Sequence, residues 1–261
     1  MIFMSSRALR VLCAAGPLLA LAAAGPSHAE PIDSGVFRIY LRGRSMGVER
    51  FFFDQFADSI VVQSVVRQII LTPAGDDSLV KTSRLYVSAF DLDLRHYEST
   101  QKIAGHEVNR TLAMSDTAFV AYREEDSHGT GDVLVRPPGR IYVHDPDVYS
   151  LFDVISRNLY RQEFESRPIT LLVLGRRDTT VEVTIRKLAP EPLRWGSRTV
   201  QAIRMNLDDG SNVIRMWSDA RGRLLQLEED RSRLRVVRDA PPVKPLRPRK
   251  TPPESNTHRP R

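Results

Sequence analysis

Cysteine is almost absent. The chain has 261 residues and one cysteine, Cys13. A lone cysteine excludes any intrachain disulfide. Cys13 also lies in a segment that reads as removable, so the mature chain is expected to carry no thiolate nucleophile and no cysteine-ligated metal. Arg10, Val11 and Leu12 precede it, without the leucine three residues upstream that a lipidation box needs. Long apolar runs are missing too. Val11–Ala24 is interrupted by Gly16 and Pro17 and is shorter than the ~20 residues a membrane-spanning helix requires.

Catalytic signatures are equally scarce. No serine stands at a strand-turn-helix elbow, so no nucleophile elbow is expected. No G-x-x-x-x-G-K occurs, and Gly129-Thr130-Gly131 lacks the third glycine and the following helix of a phosphate loop. No histidine pair has H-x-x-x-H spacing. These absences lead to the expectation of no catalytic residues, no metal and no cofactor.

What is present begins with Arg7 and Arg10, the apolar run, and Ser27-His28-Ala29 with small residues three positions and one position before a break. This reads as an export signal over residues 1–29, cleaved after Ala29, and points to a periplasmic or secreted bacterial protein. The formal charge of +6 divides unevenly. The leader holds two arginines and no acid. Residues 241–261 hold six basic residues against Glu254, leaving a net charge of −1 for residues 30–240. The body therefore has no nucleic-acid footprint. Seven prolines in 241–261 predict a disordered, partly polyproline II tail. Lys244, Arg247, Arg249 and Lys250 are its candidate electrostatic contacts to anionic envelope polymers or lipid headgroups.

Between these ends the pattern is that of an antiparallel β domain, residues 30–240. Phe37, Ile39 and Leu41 alternate with Arg38, Tyr40 and Arg42, then Gly43–Gly47 leads to Val48–Phe53 as a hairpin. Val181, Val183 and Ile185 alternate with Thr180, Glu182, Thr184 and Arg186. Asp208-Asp209-Gly210-Ser211 separates two strand-like runs as a turn. About 12 to 14 strands follow at short spacing with no βαβ alternation, which predicts an all-β, mainly antiparallel fold: a large curved sheet, β-roll or open barrel. One amphipathic helix is expected, with Asp145 as N-cap, Pro146 at N1, Asp147 in the first turn, and Val148, Leu151, Phe152, Ile155 and Leu159 along one stripe.

Three pieces of the chain carry a resemblance. They are Phe37-x-Ile39-Tyr40-x-x-Gly43-x-x-x-Gly47-x-Glu49, the Asp145-Pro146 helix start, and Ile214-Arg215-Met216-Trp217-x-Asp219-x-x-Gly222-Arg223. Together they resemble exported bacterial domains of unknown function that form a spiral β-roll, similar in shape to proteins assigned to glycolipid binding. The resemblance implies a curved sheet around a hydrophobic interior and a binding or envelope-maintenance role. It transfers no catalytic residue.

Other clusters have ordinary readings. Glu124-Glu125-Asp126-Ser127-His128 has cation-ligand chemistry, but the glycines after it favour a solvated turn. His144-Asp145-Pro146-Asp147 is accounted for by helix capping. His96 and His106 fall in or beside strands. Asn109-Arg110-Thr111 matches a eukaryotic glycosylation acceptor and is incidental in a bacterial chain. Phe51, Phe52, Phe53 and Phe56 form the densest aromatic group. Phe51 and Phe53 share one face, and with Trp217 they are the expected ligand-lining residues. The leading expectation is a non-enzymatic envelope protein that binds a lipid or another amphipathic molecule. The alternatives are a scaffold that docks to the envelope or a protein partner through its tail, and a hydrolase of envelope polymers.

Overall fold

The computed structural model describes residues 29–72, 75–115 and 117–241. The expected signal segment up to residue 28, with Cys13, and the tail contacts Lys244, Arg247, Arg249 and Lys250 lie outside the described residues. Among those described, no helix is long and apolar enough to cross a membrane.

The described residues build one large, open, mostly antiparallel sheet with a single helix, as the period-two pattern of the strands leads one to expect. A first meander comprises β1 (Glu30–Leu41), β2 (Arg44–Gln55), β3 (Ser59–Thr72), β4 (Gly75–Ser88), β5 (Leu94–Ile103), β6 (His106–Met114), β7 (Ala118–Glu125) and β8 (His128–Val135). The chain then moves to the opposite edge with β9 (Ile141–His144), passes through α1 (Ser150–Leu159), and returns. The return comprises β10 (Ser166–Val173), β11 (Thr179–Lys187), β12 (Glu191–Trp195), β13 (Arg198–Asp208), β14 (Val213–Ser218), β15 (Leu224–Glu229) and β16 (Leu234–Arg238).

The two wings meet where β16 pairs antiparallel with β1, Phe37 opposite Arg238 and Leu41 opposite Leu234. The order runs from β8 down to β1, then β16 to β13, β11, β10 and β9, with β12 off this path on β13. Among the described residues only β9 and β10 run parallel. The sheet curls far enough for β9 to touch β5 without closing.

Alternation along the strands decides the inner face. On β2, Phe51 and Phe53 are buried while Phe52 between them is 51% exposed. On β11, Val183 and Ile185 point inward as the sequence predicts. The concave side is not hollow. Helix α1 occupies it and contacts β9, β14 and β15, with Leu151, Phe152, Ile155 and Leu159 buried and Val148 buried just ahead of the helix. A helix with a nearly complete buried surface must be surrounded by the sheet.

Three local expectations need correction. The Gly43–Gly47 turn is shorter than its two glycines suggest: the reversal is Arg42-Gly43, both at positive φ. Gly47 lies inside β2, where a Cβ would stand 2.2 Å from the Arg67 carbonyl oxygen. It is glycine because β2 and β3 approach closely there. The alternation also does not reveal β10 and β12, which contain Pro168 and Pro192. Both prolines sit where one side of the strand is unpaired, since β9 reaches only Thr170–Val173 and β12 pairs only β13. The third correction concerns the start of α1. Its first helical residue is Ser150 and its N-cap is Tyr149, with no side-chain cap from its own segment. Asp145 and Asp147 have other partners.

Candidate functional site

Inward positions of four successive strands carry polar side chains, and these grip the segment that enters α1. Glu49 on β2 is fully buried. Its Oε2 accepts the Tyr149 N–H at 2.8 Å and its Oε1 the Ser150 N–H at 3.1 Å. The cap of α1 therefore comes from a distant strand, and satisfies donors that every helix start leaves open. Burial pushes the Glu49 carboxyl up to about 7, against the lowering effect of these hydrogen bonds. Gln68 on β3 donates to Asp147 Oδ1 at 2.5 Å, and burial raises the Asp147 carboxyl above its ordinary range. Asp147 itself holds φ at 71°.

Asp145 is the centre of this bracket. Lys81 on β4 donates to its Oδ1, and also to the Pro146 carbonyl at 2.9 Å. Tyr97 and Ser99 on β5 donate to Oδ2 at 2.6 and 3.0 Å. All four side chains are buried. Burial, with Asp145 beside it, lifts the Tyr97 phenol well above its usual value. A buried carboxylate that accepts from an ammonium and two hydroxyls fastens the segment to β4 and β5.

A second buried charge group ties the chain ends of the domain to the helix. Arg157 on α1 reaches Asp153 one turn earlier and Asp33 on β1. Arg238 on β16 bonds Asp33 at 2.6 Å and approaches Asp153 at 3.5 Å. Burial opposes ionisation of Asp33, but the hydrogen bond and charge of Arg238, joined by Arg157, hold its carboxyl below the usual range. The Arg157 guanidinium lies over the Phe53 ring at 4.3 Å and that of Arg238 over Phe51 at 4.9 Å. Phe37 stacks on Phe51 at 4.7 Å. Phe51 and Phe53 thus sit in the core under two arginines. Trp217 is also buried, and its indole N–H donates to Glu191 at 2.6 Å. None of these three lines either of two cavities on the inner face.

The first inner-face cavity, about 460 Å³, opens beside Asp145 between β4–β7 and the loop after β10. Three of its cations are engaged: Arg110 pairs with Asp178 at 2.8 Å, Arg123 with Glu125 at 2.7 Å, and Lys81 with Asp145; Arg176 also lines it. The second, about 360 Å³, lies on the concave side of the return wing. Its wall is apolar, made by Leu171, Val173, Val181, Val183, Leu207 and Ile214 from β10, β11, β13 and β14. The β11 alternation that makes the strand also lines the cavity.

The polar groups of this second cavity stand at one end. Asp209 Oδ1 accepts the Ser211 and Asn212 N–H groups at 2.8 and 2.7 Å, which fixes the β13–β14 turn. Asn212 Nδ2 donates to Glu229 at 2.5 Å. His144 closes one side, with its ring 5.4 Å from that of Phe152, and burial lowers its pKa. Arg231 completes the rim. An apolar hollow with a few fixed polar groups at its mouth matches the anatomy of small-molecule sites, which span roughly 300–1,000 Å³.

The chain matches no protein-family model, no curated protein and no solved structure.

The remaining sequence clusters resolve into turns and surface. Asp126-Ser127 is the tight reversal between β7 and β8, both at positive φ, with Asp126 accepting His106 Nδ1 at 2.7 Å. No group of three or more His, Cys, Asp or Glu is placed to hold a metal among the described residues. His96 lies tilted against Tyr86, and Asn109 is held by Thr100 and Glu107. Sequence reasoning did not single out the cavity wall as a site, nor the bracket residues Gln68, Lys81, Tyr97 and Ser99. The wall had a signal in the Val181–Ile185 alternation. Lys81 had none, because a lysine at an inward strand position reads as a break in the pattern.

Proposed function

We propose that the protein is a non-enzymatic component of the bacterial envelope that binds an amphipathic molecule, taking its apolar part between β10, β11 and β14 and leaving its polar part at the rim formed by His144, Asn212 and Arg231. The observation that carries this reading is the contrast between an apolar wall and a polar mouth in one 360 Å³ hollow. Apolar surface exposed in a hollow is costly in water, and covering it with a chain of methylenes returns about 0.8 kcal/mol per buried CH₂. The hollow is lateral to the helix-filled centre, so its size suits a single short chain. Export to the periplasm, as the leader suggests, would place such a site among lipids and their breakdown products.

The test is native mass spectrometry of the purified protein after incubation with an envelope lipid extract, followed by titration with a single-chain amphiphile. Retention of an amphiphile is expected, and its loss in Val181→Trp, which fills the hollow. A protein that retains nothing and titrates with no amphiphile removes this reading.

A further inference from the structure

The two edges of the sheet are treated differently. At one end β9 is four residues long, with Ile141, Tyr142 and Val143 buried, so that edge is short and covered. At the other end β8 is eight residues long, and among the described residues it pairs only with β7. Its sequence, His128-Gly129-Thr130-Gly131-Asp132-Val133-Leu134-Val135, contains no lysine, no proline and no register shift. Those are among the devices that keep natural edges from pairing, and the one carboxylate on the strand is Asp132.

The pairing pattern sets which groups are free. Glu125 faces His128 across the two-residue turn, and the Arg136 N–H donates to the Thr117 carbonyl at 3.0 Å. Bonded pairs recur every second residue in an antiparallel ladder. Asp132 and Leu134 therefore spend their peptide groups on β7, while Gly131, Val133 and Val135 direct theirs outward. The outward-bonding residues are also the exposed apolar ones: Val133 is 72% and Val135 82% exposed, and Val133 adjoins half-exposed Val120 on β7.

We infer that this edge is a self-association surface, on which β8 pairs antiparallel with β8 of a second copy of the chain about a two-fold axis at Leu134. Charge chooses the occupant and the register. With Leu134 on the axis, Val133 bonds Val135 of the second copy, and Asp132 stands opposite Arg136 of the second copy on both sides of the axis. Asp132 makes no ion pair among the described residues, and Arg136 is only loosely held, by Asp93 at 3.3 Å. Moving the register by two residues places Asp132 against Leu134. Moving it by four places Asp132 against its own symmetry mate. Opposite charges across a strand pair stabilise it and like charges destabilise it. An isologous contact of this kind closes at two copies.

The test combines sedimentation of the full chain with disulfide trapping in a Cys13→Ser background. A concentration-dependent dimer is expected. Val133→Pro deletes one outward N–H and leaves the β7 ladder intact, so it should weaken the dimer by about tenfold or more with an unchanged circular dichroism spectrum. Leu134→Cys should oxidise to a covalent dimer, because facing non-bonded residues lie about 4.5 Å apart at Cα, within disulfide range. Val133→Cys should not. A full chain that stays monomeric at all concentrations overturns the proposal, including the case where deleting residues 242–261 exposes a dimer and so shows that the edge is taken by the chain's own tail. Trapping through Val133→Cys in place of Leu134→Cys overturns it as well.

Discussion

Glu49 caps a helix that begins a hundred residues later, its Oε2 accepting the Tyr149 N–H at 2.8 Å. The carboxylate is the link between the first hairpin and α1. Removing it leaves two buried N–H groups without acceptors. Glu49→Ala is therefore expected to cost about 2–4 kcal/mol in denaturant unfolding, the sum of a lost cap and an unsatisfied donor.

The same residue gives the protein a pH dependence of defined sign. Its folded carboxyl titrates at about 7, above the 4.5 of a free glutamate, because burial disfavours the charge. The native state therefore holds the proton more tightly than the unfolded chain. Its contribution is fully present below about pH 4.5, is lost as pH rises through about 7, and is constant beyond. Glu49→Gln has no such titration. Between pH 5 and 8 the wild-type unfolding free energy should fall relative to Glu49→Gln by an amount on the order of 3 kcal/mol. Parallel pH profiles for the two proteins would contradict the buried cap.

Lys81 and Asp145 should behave as a buried pair whose halves are worse alone than together. Lys81→Met leaves a buried carboxylate with only Tyr97 and Ser99 as donors, and is expected to cost about 3–5 kcal/mol. Asp145→Asn in addition removes the stranded charge. The double variant should regain part of the loss, and thermal unfolding of the four proteins of the cycle measures the coupling. Additive losses would mean that the two groups do not share their charge.

Gly47→Ala tests the close approach of β2 and β3. The new Cβ would lie 2.2 Å from the Arg67 carbonyl oxygen and 2.5 Å from the Gln68 Cα, both backbone atoms that cannot swing aside. Overpacking of this kind costs typically 1–3 kcal/mol, and Gly43→Ala, with open space around it and φ of 80°, should cost less. Equal losses at the two glycines would place Gly47 in the turn after all.

The sheet was legible because its inward positions are mostly aliphatic. The Val181, Val183, Ile185 alternation and the Leu151–Leu159 part of the helical stripe survive in the fold, with Val148 buried ahead of the helix. The bracket was not legible because its members break that alternation. Glu49, Gln68, Lys81 and Ser99 stand at inward positions of four strands, and each is acceptable only because a partner distant in sequence satisfies it. The capping chemistry of Asp145 and Asp147 is a sound local reading that tertiary contacts override: a lysine and a tyrosine from β4 and β5 bind Asp145 more completely than a helix N-terminus does. The crossing from the β8 edge to the β9 edge likewise has no local signature, since its register depends on the curl of the whole sheet.

Phe51 and Val181 separate core from cavity. Phe51 is completely buried, stacked on Phe37 and covered by Arg238, so Phe51→Leu should cost about 1–3 kcal/mol of stability through a poorly filled site and a lost cation–π contact. Its effect on amphiphile affinity, measured per folded molecule by fluorescence titration, should be small, because its ring does not line the 360 Å³ hollow. Val181→Trp should show the reverse, with stability changed by less than about 1 kcal/mol at a partly buried position whose side chain borders an open hollow, and binding abolished by occlusion. The aromatic cluster and the aliphatic hollow compete as the seat of any ligand, and the two variants decide between them. Loss of binding in Phe51→Leu with retention in Val181→Trp would return the site to the phenylalanines and make the hollow a packing defect.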